Sequence, residues 1–448
     1  MMKTTDNSEL FLNQEFEIDD IRFIADKTIN NLVQEEKLLV FPHSLNANHK
    51  DLDGDKHIFS LHKNIKEDYV LTTNNIVGFI GRNISQLTIS SRFSTNKGDF
   101  FLHYMLHKVF AINIFDLEHA TDKDSIWDFL LYLFPYYLKQ ALNQGIFKEY
   151  QRRQYNDANL KGSIDVSRHI QINNPFMGKI AYHTREHSYD NSITQLIRHT
   201  IEYIRMHKFG SGILFNDIDT QSAVNQIIYA TSTYEKNNRR NIINQNIRPL
   251  NHPYFTEYAL LQKICLQILR QEGLTYGNEK DKVYGLLFDA AWLWEEYLNT
   301  ILKEFRFNHP ENKNRVKGIP LFKENRSLRF PDFYSEDRTI VLDAKYKRFE
   351  NWDPNKENNF DIYQIITYLH CLNSIKGGLL FPVEESESLK CNKFEELGEL
   401  HGYGGMLYKI GLLIPKKSND FLDFIEQIKT NETDFVKIIL KNHSRKVG

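Results

Sequence analysis

The chain has 448 residues, of which 41% are hydrophobic and 25% are charged. These are ordinary values for a globular protein, and the length predicts about two to four domains. The formal net charge of −2 excludes a general basic excess, so any nucleic-acid-binding region must concentrate its positive charge locally.

The cysteines and the amino-terminal residues indicate a reducing compartment. Cys265, Cys371 and Cys391 form no CxxC pair, which argues against a disulfide framework and against a cysteine zinc site. The first 20 residues are polar and acidic, and no run of 18 apolar residues occurs. We therefore expect a cytoplasmic protein without a signal peptide or a membrane partner.

Residues 1–95 contain short strand-like runs that are broken by Asn, Gly and Asp. These runs are "KLLVFPH", "HIFSLHK", "DYVLTTNNIVGFIG" and "QLTISSRF". Such spacing predicts a β-rich N-terminal domain over residues 1–95.

Residues 96–275 have a different pattern, because apolar residues become dense over helical lengths in "DFFLHYMLHKVFAINIF" and "SIWDFLLYLFPYYLKQAL". Strand-like alternation returns around Gly162, which predicts a projecting β element over about 150–187. "SYDNSITQLIRHTIEYIRMH" is again helical, with Asp190 or Asn191 as its N-cap. We therefore predict a helical middle domain with a projecting β element. The chain has no GxxxxGK[ST] motif and is not expected to be a P-loop NTPase.

Residues 276–448 alternate helix and strand signals. A helix is predicted through "LLFDAAWLWEEYLNTILKEF", followed by strands at "LRFPDFYS", "RTIVLDAKYK", "GGLLFPVE" and "MLYKIGLLIP". The segment "NNFDIYQIITYLHCLNS" between the second and third strands is a predicted helix, which makes a β-α-β unit. The whole chain is therefore expected to be an α/β and α+β multidomain protein.

Two carboxylates and a lysine stand at the ends of the first two of these strands. If the strands pair antiparallel, Asp332 at the start of one lies beside Asp343 at the end of the other. Two convergent carboxylates suit a hard divalent cation, Mg²⁺ or Mn²⁺. Lys345 points to the same face as Asp343, where it can orient a water or stabilise charge on a phosphate. The alternative is a solvated strand end with a weak surface ion pair.

The helices on either side of these strands add candidate site residues. Glu295 falls at the edge of the apolar stripe of the preceding helix, where a metal or a lysine can satisfy its carboxylate, unless the side chain turns outward. In the following helix, Asp361, Gln364 and Tyr368 line one flank, and the last two are adjacent in space. The alternative there is an ordinary amphipathic boundary.

A local basic run precedes the first strand and could follow DNA phosphates. Its members are Lys313, Arg315, Lys317, Lys323, Arg326 and Arg329. Scattered solvated charges are the alternative interpretation of this run.

These residues together resemble a known family. Asp332, the triplet Asp343-Ala344-Lys345, an upstream helical Glu and a downstream Q-x-x-x-Y helix are similar to the PD-(D/E)xK nuclease core and to its RecB-like branch. More specifically, the chain resembles the McrC family, the nuclease subunits of the McrBC systems that restrict DNA containing 5-methylcytosine. The matching pieces span about residues 160–383, and they are "LKGSIDVSRHI", "SYDNSITQLIRHTI", "WEEYL", "VLDAKYK", "DIYQIITYL" and "GGLLFP".

The resemblance implies a restriction-endonuclease-like domain over residues 276–448 that cuts DNA with Mg²⁺ or Mn²⁺. Asp332, Asp343, the Ala344 carbonyl and Glu295 would hold the metal, and Lys345 would position the attacking water. Supporting or DNA-facing residues would be Asp361, Gln364 and Tyr368.

The resemblance also implies a separate AAA+ GTPase ring of the McrB type as the partner. GTP would bind only to that partner. A β element of this chain would stimulate GTP hydrolysis by the partner. Carried across by position, this element lies near residues 156–170, with Lys161 and Arg168 as candidate contacts. Two alternatives stay open: a nuclease-inactive adaptor that activates a GTPase, and a stand-alone RecB-like repair nuclease.

Overall fold

The computed structural model has a mixed α/β architecture with several sheets, divided into two compact units. It describes residues 2–12, 18–35, 37–42, 57–64, 68–83, 85–96, 98–110, 125–207, 210–215, 217–275, 283–310, 318–355, 360–385, 393–402 and 404–444. One unit comprises residues 1–118 and 280–448, and the other is the intervening segment 119–279. No helix in the described ranges has the length and apolar character needed to cross a membrane.

The first 110 residues form strands and three helices of the first unit. These elements are β1 (Met2–Thr5), β2 (Glu9–Leu12), α1 (Ile18–Ala25), α2 (Ile29–Glu35), β3 (Lys37–Phe41), β4 (Phe59–Lys63), β5 (Tyr69–Thr73), β6 (Ile76–Arg82), β7 (Ser85–Ser90) and α3 (Phe100–Phe110). The predicted strand runs are therefore present, and helices α1 and α2 lie among them without having been predicted.

The second unit holds seven helices and three strands in its described residues. These are α4 (Ser125–Asn143), β8 (Glu149–Asp157), β9 (Ser163–Ile164), α5 (Val166–Ile172), β10 (Ile180–Ser188), α6 (Ser192–Met206), α7 (Gly210–Leu214), α8 (Ile218–Ala230), α9 (Arg239–Gln245) and α10 (Glu257–Thr275). Strand β10 pairs antiparallel with β8 and with β9. Asn191 caps α6 in a capping box with Thr194, as one of the two predicted N-caps.

The last part of the chain returns to the first unit. Its elements are β11 (Val283–Asp289), α11 (Ala290–Leu302), β12 (Phe307–Asn308), β13 (Ile319–Pro320), β14 (Leu328–Arg329), β15 (Phe333–Ser335), β16 (Ile340–Ala344), α12 (Phe360–Leu372), β17 (Lys376–Glu384), β18 (Phe394–Glu399), β19 (Met406–Ile414) and α13 (Phe421–Ser444). Short 3-10 turns lie at Lys236–Asn238, Lys303–Phe305 and Phe349–Asn351.

The predicted helix at "LLFDAAWLWEEYLNTILKEF" was wrong in its first part. Residues through Asp289 belong to β11, and α11 begins at Ala290. The Asp289 side chain accepts hydrogen bonds from the backbone N–H groups of Ala291 and Trp292, so it is the N-cap that separates strand from helix. A short continuous apolar run fits a buried strand and a helix equally well, which explains the error.

Strand β11 joins the beginning of the chain to its end. It pairs antiparallel with β6 and parallel with β3 in a five-stranded sheet of order β1-β7-β6-β11-β3. Gly78 in β6 and Gly285 in β11 have positive φ, and a Cβ on either would meet a backbone oxygen of the opposite strand at 2.1 or 2.4 Å. The two glycines therefore allow this close pairing.

A six-stranded sheet carries the candidate site. Its order is β12-β15-β16-β17-β19-β18. Strands β15 and β16 are antiparallel, whereas β16, β17 and β19 are parallel, and α12 connects β16 to β17. The predicted hairpin and β-α-β unit are confirmed. Ile365, Leu369 and Leu372 of α12 pack on Val341 and Leu379 in one buried cluster, which fixes the flank of α12 that faces the end of β16.

Candidate active site

The hairpin β15–β16 brings the two predicted aspartates together. Phe333 pairs with Leu342 in the antiparallel hairpin. Asp332 and Asp343, the neighbours of this pair in the chain, therefore lie opposite each other. Oδ2 of Asp332 accepts a hydrogen bond of 2.7 Å from the backbone N–H of Ala344. Both carboxylates are buried, at 6% exposure for Asp332 and 0% for Asp343. The sheet edge therefore concentrates two carboxylates in a space with little solvent.

The positive charge near Asp343 is too small to offset the burial of its carboxylate, so the pKa of Asp343 is raised. Burial and then the charge of Asp332 raise the pKa of Asp343, while the Lys345 ammonium lowers it. Oδ1 of Asp343 is inaccessible to solvent and accepts no hydrogen bond within the ranges that the structure describes. An unpaired buried carboxylate oxygen is costly, so the site favours binding of a positive group there.

Lys345 lies among three acceptors. Its Nζ lies 2.5 Å from Oδ2 of Asp343 and 3.4 Å from Oδ1 of Asp361, and it donates a hydrogen bond of 2.9 Å to Oε1 of Gln364. Burial alone would lower the pKa of Lys345, but the charge of Asp343 and its hydrogen bond raise it, with a smaller contribution from Asp361. The side chain is therefore held as an ammonium with its head fixed in place.

Asp361 is buried and fully engaged with protein groups. Besides Lys345, it accepts hydrogen bonds from Lys347 Nζ at 2.7 Å and Trp352 Nε1 at 2.9 Å. Burial raises the pKa of Asp361, but these hydrogen bonds and the Lys345 charge lower it overall. Its position favours a role in supporting Lys345 over a role in contacting DNA.

Gln364 and Tyr368 form a short relay along α12. Nε2 of Gln364 donates a 2.7 Å hydrogen bond to the Tyr368 hydroxyl, while its Oε1 accepts from Lys345. Tyr368 is buried and Gln364 is half-buried. Burial raises the pKa of Tyr368, as do the charges of Asp343, Asp332 and Glu295. Gln364 and Tyr368 therefore give Lys345 neutral neighbours on α12, beside the charged Asp361 of the same helix.

Glu295 lies on α11 with its side chain mostly buried, and its Oε1 is 3.8 Å from Nε2 of His309. Sequence reasoning missed His309, whose Nδ1 hydrogen-bonds the backbone oxygen of Asp332 at 2.7 Å and whose ring stacks on Phe333. Oε1 of Glu296, the next residue on α11, also lies 3.5 Å from Nε2 of His309. His309 therefore ties α11 to the strand that carries Asp332. Its only sequence signal is a polar residue just after a short strand.

The donor set suits Mg²⁺ or Mn²⁺, although no three His, Cys, Asp or Glu side chains in the described part of the chain make a metal site by themselves. Mg²⁺ is usually held by one or two carboxylates together with waters and substrate phosphates. Asp332, Asp343 and the Ala344 carbonyl supply oxygen ligands of this kind, and the unpaired Oδ1 of Asp343 fits a cation. The structure does not combine Glu295 with the two aspartates in such a group, so its role as a ligand stays a prediction.

The predicted projecting β element consists of β8, β9, α5 and β10. Lys161 is exposed, and Arg168 is half-buried at the start of α5, where Asp165 caps the helix. Sequence reasoning missed that α5 has no buried residue and that several apolar side chains of this element are exposed. These are Leu160, Ile164, Val166, Ile170, Phe176 and Met177. Val166 and Ile170 are four apart and share one face of α5, so the element presents an apolar surface to solvent.

Part of the predicted basic run lies on the small hairpin β13–β14. Lys323 and Arg326 are exposed beside the turn, with the Arg326 guanidinium over the ring of Phe322. Arg329 lies at the end of β14 and is half-buried. Lys313, Arg315 and Lys317 lie outside the described residues.

Comparison with known proteins identifies a protein family and similar solved structures. The family model described as "McrBC 5-methylcytosine restriction system component" matches residues 71–382. A half-complex of Thermococcus gammatolerans McrB AAA+ hexamers with bound McrC is 13% identical, with 98% of this chain and 99% of that chain covered at a TM-score of 0.49. The cryo-EM structure of the Thermococcus gammatolerans McrBC complex is 14% identical, with 67% and 87% covered at a TM-score of 0.34. Among proteins of curated function, none matches.

Proposed function

Because the chain belongs to the family of McrBC 5-methylcytosine restriction system components, we propose that it is the Mg²⁺-dependent DNA endonuclease subunit of a GTP-dependent restriction system. The observation that carries this proposal is the buried Asp343, with one unpaired oxygen, between Asp332 and the ammonium of Lys345. Residues 276–448 would then be a nuclease domain of the PD-(D/E)xK type. The order of the elements around the site supports this: a hairpin that carries both aspartates, then α12 with Gln364 and Tyr368.

The reaction is hydrolysis of a phosphodiester bond. Asp332, Asp343 and the Ala344 carbonyl would hold the metal, which supplies Lewis-acid polarisation of the phosphate and lowers the pKa of bound water. The Lys345 ammonium, held by Gln364 and Asp361, would orient the attacking water and stabilise negative charge on the phosphate. Asp361 and Tyr368 would act by holding Lys345 and Gln364 in place.

The partner in this proposal is an AAA+ GTPase ring of the McrB type, which would bind the GTP. Two features of the chain support a separate motor subunit. It lacks a GxxxxGK[ST] motif, and its β8–β10 element exposes an apolar surface that a partner would cover. We assign the contact to this surface together with Lys161, and expect it to stimulate GTP hydrolysis.

Two other functions use the same residues differently. An adaptor would activate the GTPase and never cut, but the ion pair of Lys345 with Asp343 and the close approach of Asp332 favour an intact site. A stand-alone repair nuclease would cut without a partner, and the exposed apolar surface speaks against it.

The test is a cleavage assay on methylated and unmethylated plasmid with Mg²⁺, with and without the AAA+ partner and GTP. Wild type is compared with Asp343→Asn, which keeps the shape of the side chain and removes its charge. Asp353→Asn, at an exposed aspartate ten residues further on, is the matched control.

Cleavage of methylated plasmid that requires the partner, GTP and Asp343 is the expected result. Asp343→Asn should still stimulate GTP hydrolysis by the partner, because the change lies outside the β8–β10 element. Cutting without the partner would favour the stand-alone nuclease. GTPase stimulation by a wild type that never cuts would establish the adaptor.

A further inference from the structure

The polypeptide leaves the candidate site through a tight turn at Tyr346. Lys345 N–H donates to the Leu380 carbonyl at 2.8 Å, which is the last hydrogen bond that ties β16 to β17. Lys347 N–H then donates back to the Lys345 carbonyl at 2.9 Å, an i to i+2 bond that makes a γ-turn centred on Tyr346. The Asp343-Ala344-Lys345 triplet thus lies at the end of a strand, where backbone hydrogen bonding alone gives the weakest support.

Tyr346 is anchored by different partners from those of the two lysines that flank it. Lys345 and Lys347 both reach Asp361, whereas the Tyr346 ring is buried at 4% exposure. The guanidinium of Arg92 lies 4.8 Å from the centre of that ring, and the ring of Phe93 packs edge-on at 5.6 Å. Nη1 of Arg92 also donates to the Tyr346 carbonyl at 3.3 Å.

Arg92 lies two residues after β7 and is held by residues that flank other strands of the N-terminal sheet. Its backbone N–H and its Nε donate to the buried carboxylate of Asp6 at 2.5 and 2.8 Å, and its Nη2 also bonds Asp6. Nη2 further donates to Oδ1 of Asn75 at 2.5 Å. From the other side, Arg348 Nη2 donates to the Arg92 carbonyl at 2.9 Å. The guanidinium therefore has one preferred position, set by residues far from the site in sequence.

We infer that Arg92 is a positioning residue of the proposed nuclease: it fixes the Tyr346 turn and thereby the placement of Asp343 and Lys345. The inference rests on the proposed function and extends it to the N-terminal sheet. The physical reason is that a metal site and a catalytic ammonium lose activity when their groups are displaced by about 1 Å. The Tyr346 turn, which follows Lys345, must therefore be held in place. Residues that orient metal ligands typically change metal affinity or activity by about 10- to 100-fold when altered.

The test uses Arg92→Lys and Tyr346→Leu in the full chain. The first keeps a positive charge for Asp6 but removes the planar group that bonds the Tyr346 carbonyl. The second approaches the same contact from the site side, so that one variant remains informative if the other fails to fold. Arg82→Lys is the matched control, since Arg82 also pairs with a buried aspartate, Asp20, and stacks on a ring, that of Phe23.

Arg82 is the last residue of β6, whereas Asn75, a partner of Arg92, lies just before the first residue of that strand. At ~3.3 Å per strand residue, Arg82 is roughly 23 Å from Asn75.

For every variant, Mn²⁺ affinity is measured by calorimetry on the isolated chain, together with the Mg²⁺ concentration for half-maximal cleavage and the thermal midpoint. We expect Arg92→Lys and Tyr346→Leu to weaken Mn²⁺ binding about tenfold or more and to raise the half-maximal Mg²⁺ concentration in parallel. Arg82→Lys should change either quantity less than about twofold at a similar loss of thermal midpoint.

Equal effects of Arg92→Lys and Arg82→Lys on Mn²⁺ affinity would overturn the inference and leave the proposed function intact. A wild-type chain that binds no Mn²⁺ and cuts no DNA with its partner would overturn the proposed function, and this inference with it.

Discussion

At the scale of single residues, Lys345 and Lys347 offer a direct comparison. Both ammonium groups contact Asp361, but only Lys345 also reaches Asp343 and Gln364. Lys345 is mostly buried at its head, while Lys347 is exposed. Substitutions of the two lysines can therefore distinguish a role in the reaction, assigned to Lys345, from a role in supporting Asp361, assigned to Lys347.

We expect Lys345→Ala to lower the rate of plasmid cleavage by about 10²- to 10³-fold, the range found when a group that stabilises transition-state charge is removed. Lys347→Ala should cost less than about tenfold, because Trp352 still donates to Asp361. Single-turnover cleavage at saturating Mg²⁺, partner and GTP measures both. Equal losses in the two variants would contradict the assigned role of Lys345.

Sequence alone could predict that Asp332, Asp343 and Lys345 lie close together, because strand alternation and hairpin pairing place such residues without detailed coordinates. Gln364 and Tyr368 followed from helical spacing in the same way. His309 could not be identified, since its contacts to Asp332 and to the glutamates of α11 depend on how a loop folds back. Arg92 was also out of reach, as its contact with Tyr346 spans 254 positions of sequence.

At the scale of elements, two aspartates cap helices but have pKa values shifted in opposite directions. Asp99 precedes α3, accepting from Ser91 and from the Leu102 N–H, and its burial raises its pKa to about 6 despite these hydrogen bonds. Asp217 precedes α8, and although burial raises the pKa of its carboxyl, hydrogen bonds from Thr220 and the nearby Lys139 lower it overall. The pair therefore tests how burial changes the contribution of a cap.

For Asp99, the folded pKa of about 6 lies above the usual 3.8, so its contribution is complete below pH 3.8 and is lost as pH rises through 6. Asp99→Asn keeps a capping oxygen and removes the charge. Relative to wild type, this variant should gain stability between pH 4 and 6, by up to about 3 kcal/mol at ~1.36 kcal/mol per pKa unit. Urea midpoints at pH 4.5, 5.5, 6.5 and 7.5 measure the gain.

Asp217→Asn is the control with the opposite sign. The lowered pKa of Asp217 means that its contribution is present above pH 3.8 and is lost only below that value. Its loss of stability should thus be the same at all four pH values. A pH-independent effect of Asp99→Asn would show that burial does not control that cap.

The apolar surface of the β8–β10 element makes a second prediction at this scale. Phe176 and Met177 are 62% and 80% exposed, and replacing both with Ser should reduce stimulation of the partner GTPase about tenfold or more. Mn²⁺ binding should not change. Tyr229→Ser, at a side chain 85% exposed on α8, is the control and should leave stimulation intact. Normal stimulation by the Phe176/Met177 variant would move the partner contact elsewhere.

Element boundaries depended on which local signal was strongest. The β-α-β unit could be predicted because its strands are continuous apolar runs separated by a helix of ordinary length. Strand β11 was assigned to a helix because its apolar residues run directly into α11, with Asp289 as the only separator. Helix α5 was missed because it is short and has no buried face, so no hydrophobic period marks it.

At the scale of the whole molecule, the first and last parts of the chain share one core. Strand β11 lies between β6 and β3, and the hydroxyls of Tyr104 on α3 and Tyr297 on α11 both donate to the buried Glu432 on α13. The predicted boundaries at 95 and 276 follow changes of sequence pattern, whereas these contacts combine residues 1–118 with 280–448. Pairing between strands so distant in sequence leaves no local pattern, so sequence alone could not reveal it.

We expect residues 280–448 expressed alone to lack a cooperative thermal transition, because β11 and α11 would expose apolar residues that the N-terminal part covers. Co-expression with residues 1–118 should restore a stable complex, measured by co-purification and circular dichroism melting. Residues 119–279, a continuous unit, should melt cooperatively on their own. Cooperative melting of 280–448 without the N-terminal part would contradict the shared core.

The position of β11 also has a consequence for synthesis on the ribosome. Strand β3 is at the edge of the five-stranded sheet, and its neighbour β11 follows roughly 240 residues later. At about 5–20 residues per second, translation leaves "KLLVF" without its neighbouring strand for roughly 10–50 s. An apolar strand exposed for so long is a target for chaperones and for pairing with other nascent chains. Synthesis of β11 thus also determines when β3 gains its neighbouring strand and is no longer exposed to aggregation with other nascent chains.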